Sequence, residues 1–163
     1  MPLTFIAREA VRLAAIPLAM TAMIGVAQAG PFDTFAGSWS GTGTIAMNDG
    51  HNERIRCKAV YEVTPSGIIM HQNLRCASDS YKFEVRSSIQ AEGSNLTGTW
   101  TEVTRQATGA VSGSISGGQI STHVEGTGFS ASLNVTSRGN QQSVSINPQG
   151  TDIKAVQIDM KRG

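Results

Sequence analysis

Two cysteines are the residues with the clearest chemistry in this 163-residue chain. Cys57 and Cys76 each lie on the apolar face of a segment in which apolar and polar residues alternate, and turn residues 64–67 separate the two segments. Antiparallel pairing across that turn sets the cysteines opposite each other. In an oxidising compartment this placement predicts a disulfide. A redox-active or metal-binding pair is disfavoured, because no CxxC motif is present and tetrahedral zinc needs two further ligands.

The same register predicts further cross-strand neighbours on the buried face. It sets Val63 opposite Met70 and Ala59 opposite Leu74, and it places Ile68 on the face of Met70. The opposite face of the first segment is charged, so one side of each strand is predicted to be core and the other solvated.

Three histidines, His51, His71 and His123, are the other candidate metal ligands. No two of them have the i, i+2 or i, i+4 spacing that brings imidazoles together within one strand or helix. We therefore expect surface or half-exposed histidines and no metal site.

Catalytic motifs are also weak. Residues 113–117 approach the Gly-x-Ser-x-Gly pattern, but no helix follows, and the nucleophile elbow requires one. No glycine-rich phosphate loop leads into a helix. Four carboxylates could be paired for acid–base work but are more simply read as solvated: Glu84, Glu92, Glu102 and Glu125. The sequence thus predicts no catalytic residues, no cofactor and a protein that is not an enzyme.

Aromatic residues recur on different predicted strands and are the candidates for ligand binding: Trp39, Tyr61, Trp100 and Phe129, with Phe83 beside them. In a small closed barrel several of these rings could point inward, where the barrel either fills itself or holds one ligand. Gly41 and Gly43 share the face of Trp39, which favours a cavity for a small hydrophobic or amphipathic molecule. The alternative is that the rings are ordinary core.

The elements that would position these residues are strands. Alternation of period two runs from Trp39 to Met160 with turn residues every 8 to 12 positions, and no segment has a convincing helical pattern. The sequence predicts an all-β fold, an antiparallel up-and-down β-barrel of about 8–10 strands, in one domain over residues 30–163. Glycines within strands permit the coiling that closure needs.

Residues 1–29 are predicted to be a cleavable signal peptide. Arg8 and Arg12 precede an apolar run at residues 13–27, and Ala27-Gln28-Ala29 supplies small residues for cleavage after Ala29. The run is shorter than the roughly 20 residues of a membrane-spanning helix, so no stable membrane anchor is expected. We predict a periplasmic or secreted protein.

Charge argues against a polyanionic partner. The formal net charge is +1, and after loss of residues 1–29 the chain keeps 11 basic and 11 acidic side chains. The lysines and arginines are scattered singly along the sequence. We therefore expect no strong electrostatic binding to nucleic acid or to an anionic membrane.

Two short segments carry a resemblance to known families. Gly37-Ser38-Trp39, at the start of the first strand, resembles the G-x-W signature of lipocalin-like proteins, in which an arginine packs over the tryptophan. Arg162 is the candidate for that arginine. Residues 96–100, Leu-Thr-Gly-Thr-Trp, resemble strand openings of avidin-like barrels. The resemblance implies a calycin-like barrel that binds a small ligand.

Two further resemblances concern exported proteins. The G-x-W start followed by an early disulfide is similar to small periplasmic metalloprotease inhibitors of the eight-stranded barrel type. Residues 75–78 and 81–85 resemble uncharacterised exported proteins of Gram-negative bacteria, which implies no function. The alternative to a ligand carrier is therefore a protein-interaction module such as a protease inhibitor.

Such a module would act through loops or termini. The candidates are the loop at residues 47–52 and the segment Gly30 to Phe35, where Phe32 and Phe35 are expected to be exposed rings before the first strand. The same segment could instead plug one end of the barrel.

Overall fold

Residues 28–163 fold into a β-barrel in the computed structural model, which describes these residues and no others. The predicted signal peptide lies outside the described residues except for Gln28 and Ala29. The ten strands are β1 (Gly37–Met47), β2 (Asn52–Val63), β3 (Ile69–Ala77), β4 (Lys82–Glu92), β5 (Asn95–Glu102), β6 (Ala107–Ser116), β7 (Gln119–Gly126), β8 (Phe129–Arg138), β9 (Gln141–Gln149) and β10 (Ile153–Arg162). Within residues 28–163 there is no helix that could cross a membrane.

The strands form a closed up-and-down barrel. Each strand pairs antiparallel with its neighbours in sequence, and β1 also pairs with β10 to close the sheet. The predicted all-β antiparallel barrel is confirmed, with ten strands. Five connections share one end, here called the loop end: residues 48–51, 78–81, 103–106, 127–128 and 150–152. The opposite end, where β1 begins and β10 ends, is called the plugged end.

Alternating burial follows the alternating sequence. In β2 the apolar positions face the interior and are buried: Ile55, Cys57, Ala59 and Tyr61. The positions between them are exposed on the outer wall: Arg54, Arg56, Lys58 and Val60. Because side chains alternate between the two faces of a strand, β2 contributes apolar residues to the interior and charged residues to the outer wall.

Glycine at two inner positions of β1 allows the barrel to close. A Cβ atom at Gly41 would collide with the backbone carbonyl oxygen of Asp159 in β10, and one at Gly43 would collide with that of Gln157. β1 and β10 therefore approach more closely than any side chain at these two positions would permit. Glycine at positions 41 and 43 therefore allows β1 to pair with β10.

The segment before β1 plugs the barrel. Phe32 and Phe35 are fully buried, so the prediction that their rings are exposed is wrong, and the alternative that the segment closes the barrel end is the one observed. The backbone N–H of Phe32 donates to the carbonyl of Gly67, and the hydroxyl of Ser137 donates to that of Thr34, at 3.0 Å. Burying two phenyl rings supplies the apolar contact that holds the segment in place.

The buried position predicted for Ile68 is also wrong. Ile68 is 41% exposed and precedes β3, because the chain is still in the turn that follows β2. Gly67 has a φ of 70° there, and the N–H of Thr64 donates to the carbonyl of Ile69 to close the hairpin. Strand alternation therefore begins one residue later than the sequence predicts.

Candidate functional site

The disulfide joins β2 to β3 on the inner face. Cys57 is bonded to Cys76, with Cα atoms 4.2 Å apart, and both residues are buried. The pairs Val63–Met70 and Ala59–Leu74 occur in the predicted register. The predicted disulfide is confirmed, and it fixes the relative position of two adjacent strands.

Arg162 and Trp39 form the centre of the plugged end. The guanidinium carbon of Arg162 lies 4.3 Å from the centroid of the Trp39 ring, and its amino groups donate to the carbonyls of Thr34 and Ala36. The indole Nε1 of Trp39 donates to the carbonyl of Phe35, at 2.8 Å. One cation–π contact and three hydrogen bonds thus tie the plugging segment to β1 and β10.

Tyr61 lies near the same end and donates its hydroxyl to Oε1 of Gln142, at 2.9 Å. Both side chains are buried, and burial raises the pKa of Tyr61 well above its usual value. Nε2 of Gln142 has no hydrogen-bond partner among the described residues. The one sequence signal for Gln142 is the alternation of Gln142, Val144 and Ile146, which places it on the inner face of β9.

Trp100 and Phe129 lie together nearer the loop end. Their ring centroids are 5.7 Å apart at an interplanar angle of 67°, an edge-to-face arrangement. Nε1 of Trp100 donates to the backbone carbonyl of Glu125, at 3.1 Å. The indole covers Gly109 and Gly126, where an added Cβ would lie 2.7 Å and 2.8 Å from its atoms. The space left by these two glycines is therefore occupied by Trp100.

The four predicted ligand-binding aromatics consequently fall into two groups. Trp39 and Tyr61 are buried behind the plug, whereas Trp100 is paired with Phe129, which is partly exposed.

Apolar side chains on inner positions remain partly exposed towards the loop end. Two partly buried residues, Val63 and Val135, lie in the half of their strand nearest the plugged end. Six others lie in the half nearest the loop end: Phe83, Val85, Val124, Phe129, Ile146 and Ile153. On β1 and β2, by contrast, the loop-end positions Ile45, Met47 and Ile55 are buried. The interior is therefore accessible beside β4 and β7–β10 and covered beside β1 and β2.

An open groove of about 670 Å³ crosses the outer wall at the level of the disulfide. It is lined by Gly41, Cys57, Cys76 and Phe83, which are cross-strand neighbours in one row, and by residues flanking them on the same four strands. The flanking residues include Arg56, Lys58, Arg75 and Lys82. Because these flanking side chains are exposed, the groove belongs to the outer wall and not to the barrel interior.

Glu102 is a buried carboxylate at the end of β5. Burial opposes its ionisation, but N–H groups of Arg105, Thr104 and Glu84 donate to it, and together they hold its pKa below the usual value. The hydrogen bonds from Thr104 and Arg105 to this carboxylate stabilise the β5–β6 turn. Glu84, a second of the four candidate carboxylates, is paired with Arg75 and Arg86 on the outer wall.

The histidines lie apart from one another. Nδ1 of His51 is 2.5 Å from a carboxylate oxygen of Asp49 in the β1–β2 turn, and Nε2 of His123 is 3.3 Å from Glu125 on β7. His71 is exposed on β3. Across residues 28–163, no group of three His, Cys, Asp or Glu side chains has the arrangement of a metal site.

Comparison with known proteins relates the barrel to solved structures of calycin type. No family model and no curated protein matches the sequence. An S-type phycobiliprotein lyase, CPES from Guillardia theta, is similar with a TM-score of 0.60 at 10% identity, over 81% of this chain and 90% of that one. Rv2717c from M. tuberculosis is similar with a TM-score of 0.58 at 10% identity, over 80% of this chain and 94% of that one. The fold is calycin-like.

The prediction that the protein is not an enzyme is wrong, because this type of barrel also occurs in a protein titled as a lyase. A structure titled as a lyase has the same type of barrel over most of both chains. The exclusion depended on the absence of familiar catalytic motifs, and such motifs are tied to helix-containing folds. A calycin-like barrel can therefore not be set aside as noncatalytic.

Proposed function

We propose that the protein binds a small hydrophobic or amphipathic molecule inside the barrel, towards the loop end. The observation that carries the proposal is the partial exposure of apolar side chains on inner positions at that end, among them Phe83, Val124 and Phe129. Apolar groups lining a concave and accessible interior favour a ligand that removes them from water. The lyase with a similar barrel is consistent with a barrel that holds a small molecule.

In this proposal Trp100 and Phe129 contact the ligand, and Trp39 and Tyr61 form the floor beneath it. The floor is rigid because Arg162 and the plugging segment hold Trp39 from the other side. A preformed site of this kind costs little ordering when the ligand binds.

We also propose that the mature protein is exported, beginning after Ala29, and is periplasmic or secreted. The Cys57–Cys76 disulfide supports this location, because disulfides persist in oxidising compartments. N-terminal sequencing of the protein isolated from its own host tests this proposal: a mature chain beginning at Gly30 supports it, and a chain that retains residues 1–29 contradicts it.

Fluorescence titration with N-phenyl-1-naphthylamine, a neutral amphipathic probe, tests the binding proposal. We expect saturable fluorescence enhancement with the wild-type protein. Phe83→Ala and Phe129→Ala should each raise the dissociation constant roughly tenfold, because each removes a ring from the proposed site.

Val60→Ala is the matched control, since Val60 is an apolar residue exposed on the outer wall. It should leave the dissociation constant unchanged, and circular dichroism should show that all three variants remain folded. Absence of saturable binding by the wild type, or equal weakening by Val60→Ala, would overturn the proposal.

A further inference from the structure

The outer wall of β2, β3 and β4 collects basic side chains. The chain has 13 lysines and arginines, of which Arg8 and Arg12 precede the barrel, and six of the other eleven lie on this wall. This basic face consists of Arg54, Arg56, Lys58, Arg75, Lys82 and Arg86. All six residues are exposed.

Antiparallel pairing brings these charges together although they are scattered along the sequence. Lys58 lies directly opposite Arg75, and Arg56 lies opposite Ala77, which in turn lies opposite Lys82. The prediction that no anionic surface is bound depends on spacing along the sequence, and such spacing does not report which residues are neighbours on this wall. Lys58 and Arg75 are the one pair of like charges directly opposite each other on this wall, and Glu84, opposite Arg75 on β4, offsets part of their repulsion.

Internal ion pairs compensate only part of the charge. Glu84 is paired with Arg75, with 3.1 Å between Nε and Oε2, and with Arg86, with 2.9 Å between Nη2 and Oε1. The other four basic residues form no ion pair with any residue in the range 28–163: Arg54, Arg56, Lys58 and Lys82. The same outer wall carries three glutamates, Glu62, Glu84 and Glu92, against its six basic side chains, so it keeps an excess of three positive charges.

Exposed apolar side chains border the same wall. Val60, which follows Lys58 on the outer side of β2, is 42% exposed. Val103, whose N–H donates to the carbonyl of Glu84, is 39% exposed. The groove of about 670 Å³ adjoins Arg56, Lys58, Arg75 and Lys82. Cationic groups, apolar side chains and a recess thus occur together.

We propose that the basic face docks the barrel on a membrane surface rich in anionic phospholipids. The cationic groups form a two-dimensional array across three strands, which matches a plane of separate phosphate groups. The face holds no aromatic residue, and aromatic anchors are typical of the energetic centre of protein interfaces. Binding to lipid phosphates needs no such anchor, since each basic residue near an anionic surface adds roughly a fivefold gain in partitioning.

Vesicle flotation tests this proposal with two variants of equal charge. Arg56→Gln/Lys58→Gln/Lys82→Gln removes unpaired charges from the basic face. Arg138→Gln/Lys154→Gln/Lys161→Gln removes three exposed charges from β8 and β10 and is the control. Each variant is mixed with vesicles of phosphatidylcholine alone and with vesicles that also contain phosphatidylglycerol.

We expect the wild type to float with phosphatidylglycerol vesicles only, and less strongly as salt is added. The basic-face variant should bind at least tenfold more weakly than the wild type, while the control stays close to it. Equal binding by the two variants, or no flotation of the wild type, would overturn the proposal. Retention of the wild type on heparin without flotation would assign the face to a soluble polyanion and also overturn it.

Discussion

The guanidinium of Arg162, the last residue of β10, lies over the indole of Trp39, near the start of β1. The two residues are cross-strand partners where the barrel closes, and both also bind the segment that plugs it. Closure of the sheet and closure of the barrel end therefore depend on the same pair. The G-x-W resemblance pointed to Trp39 and to Arg162 as the candidate arginine that packs over it, and this contact is confirmed.

Replacing Arg162 should loosen the plug. Arg162→Gln removes the cation–π contact and the hydrogen bonds to the carbonyls of Thr34 and Ala36, and we expect unfolding free energy to fall by about 2 kcal/mol. Urea denaturation measures this loss. Lys161→Gln is the control, because Lys161 is exposed on the same strand, and it should change stability by less than about 0.5 kcal/mol. An equal loss in both variants would contradict this role of Arg162.

Removing the disulfide should destabilise the fold without changing it. Cys57 and Cys76 are 19 positions apart, and a loop of that size restricts the unfolded chain by about 3 kcal/mol. Cys57→Ala/Cys76→Ala should therefore lower the urea midpoint, and dithiothreitol should lower the wild-type midpoint to a similar value. Dithiothreitol should not affect the variant. A wild-type midpoint that is insensitive to full reduction would refute this contribution.

Tyr61 should make the protein sensitive to alkali. Its pKa in the folded state lies above the ordinary value of 10.0 because the phenol is buried, so the unfolded chain loses this proton first. Ionisation then favours the unfolded state, and stability falls as pH rises above about 10, by at most about 1.4 kcal/mol per pH unit from this group.

Tyr61→Phe separates this pH effect from the hydrogen bond to Gln142. The variant should be less stable by about 1 kcal/mol at neutral pH, because the amide of Gln142 loses its partner. Between pH 9 and 11 it should lose stability less steeply than the wild type. Equal slopes in urea denaturation across this range would show that Tyr61 does not resist ionisation in the fold.

Gly109 should not tolerate a side chain. An added Cβ would collide with the carbonyl oxygen of Glu125 and would lie 2.7 Å from Nε1 of Trp100. Gly109→Ala should therefore cost about 1–3 kcal/mol and shift the fluorescence of Trp100, since the ring must move. Ala110→Ser, at the adjacent outward position, is the control and should leave both unchanged. An unperturbed Gly109→Ala variant would contradict the observed contact.

The strands and the disulfide could be predicted from the sequence because both follow from a period of two. Alternation fixes which face of β2 is buried, and the turn at residues 64–67 fixes its register with β3, so Cys57 and Cys76 must meet. The spacing of turn residues predicted about 8–10 strands, and the structure has ten.

Features that depend on long-range closure could not be predicted. Phe32 and Phe35 look exposed in sequence because their partners lie on strands distant in the chain. Gly109 and Gly126 look like empty volume, whereas Trp100 fills it. Each case depends on which strands lie side by side.

The most direct test of ligand binding at the loop end uses the two tryptophans of the chain. Their indole N–H groups give separate signals in a proton–nitrogen correlation spectrum, which Trp39→Phe assigns. Titration with N-phenyl-1-naphthylamine should shift the signal of Trp100, beside Phe129, more than that of Trp39, which is bonded to Phe35 beside the plug. An equal or larger shift of Trp39, or no shift of either signal at saturating probe, would contradict a site at the loop end.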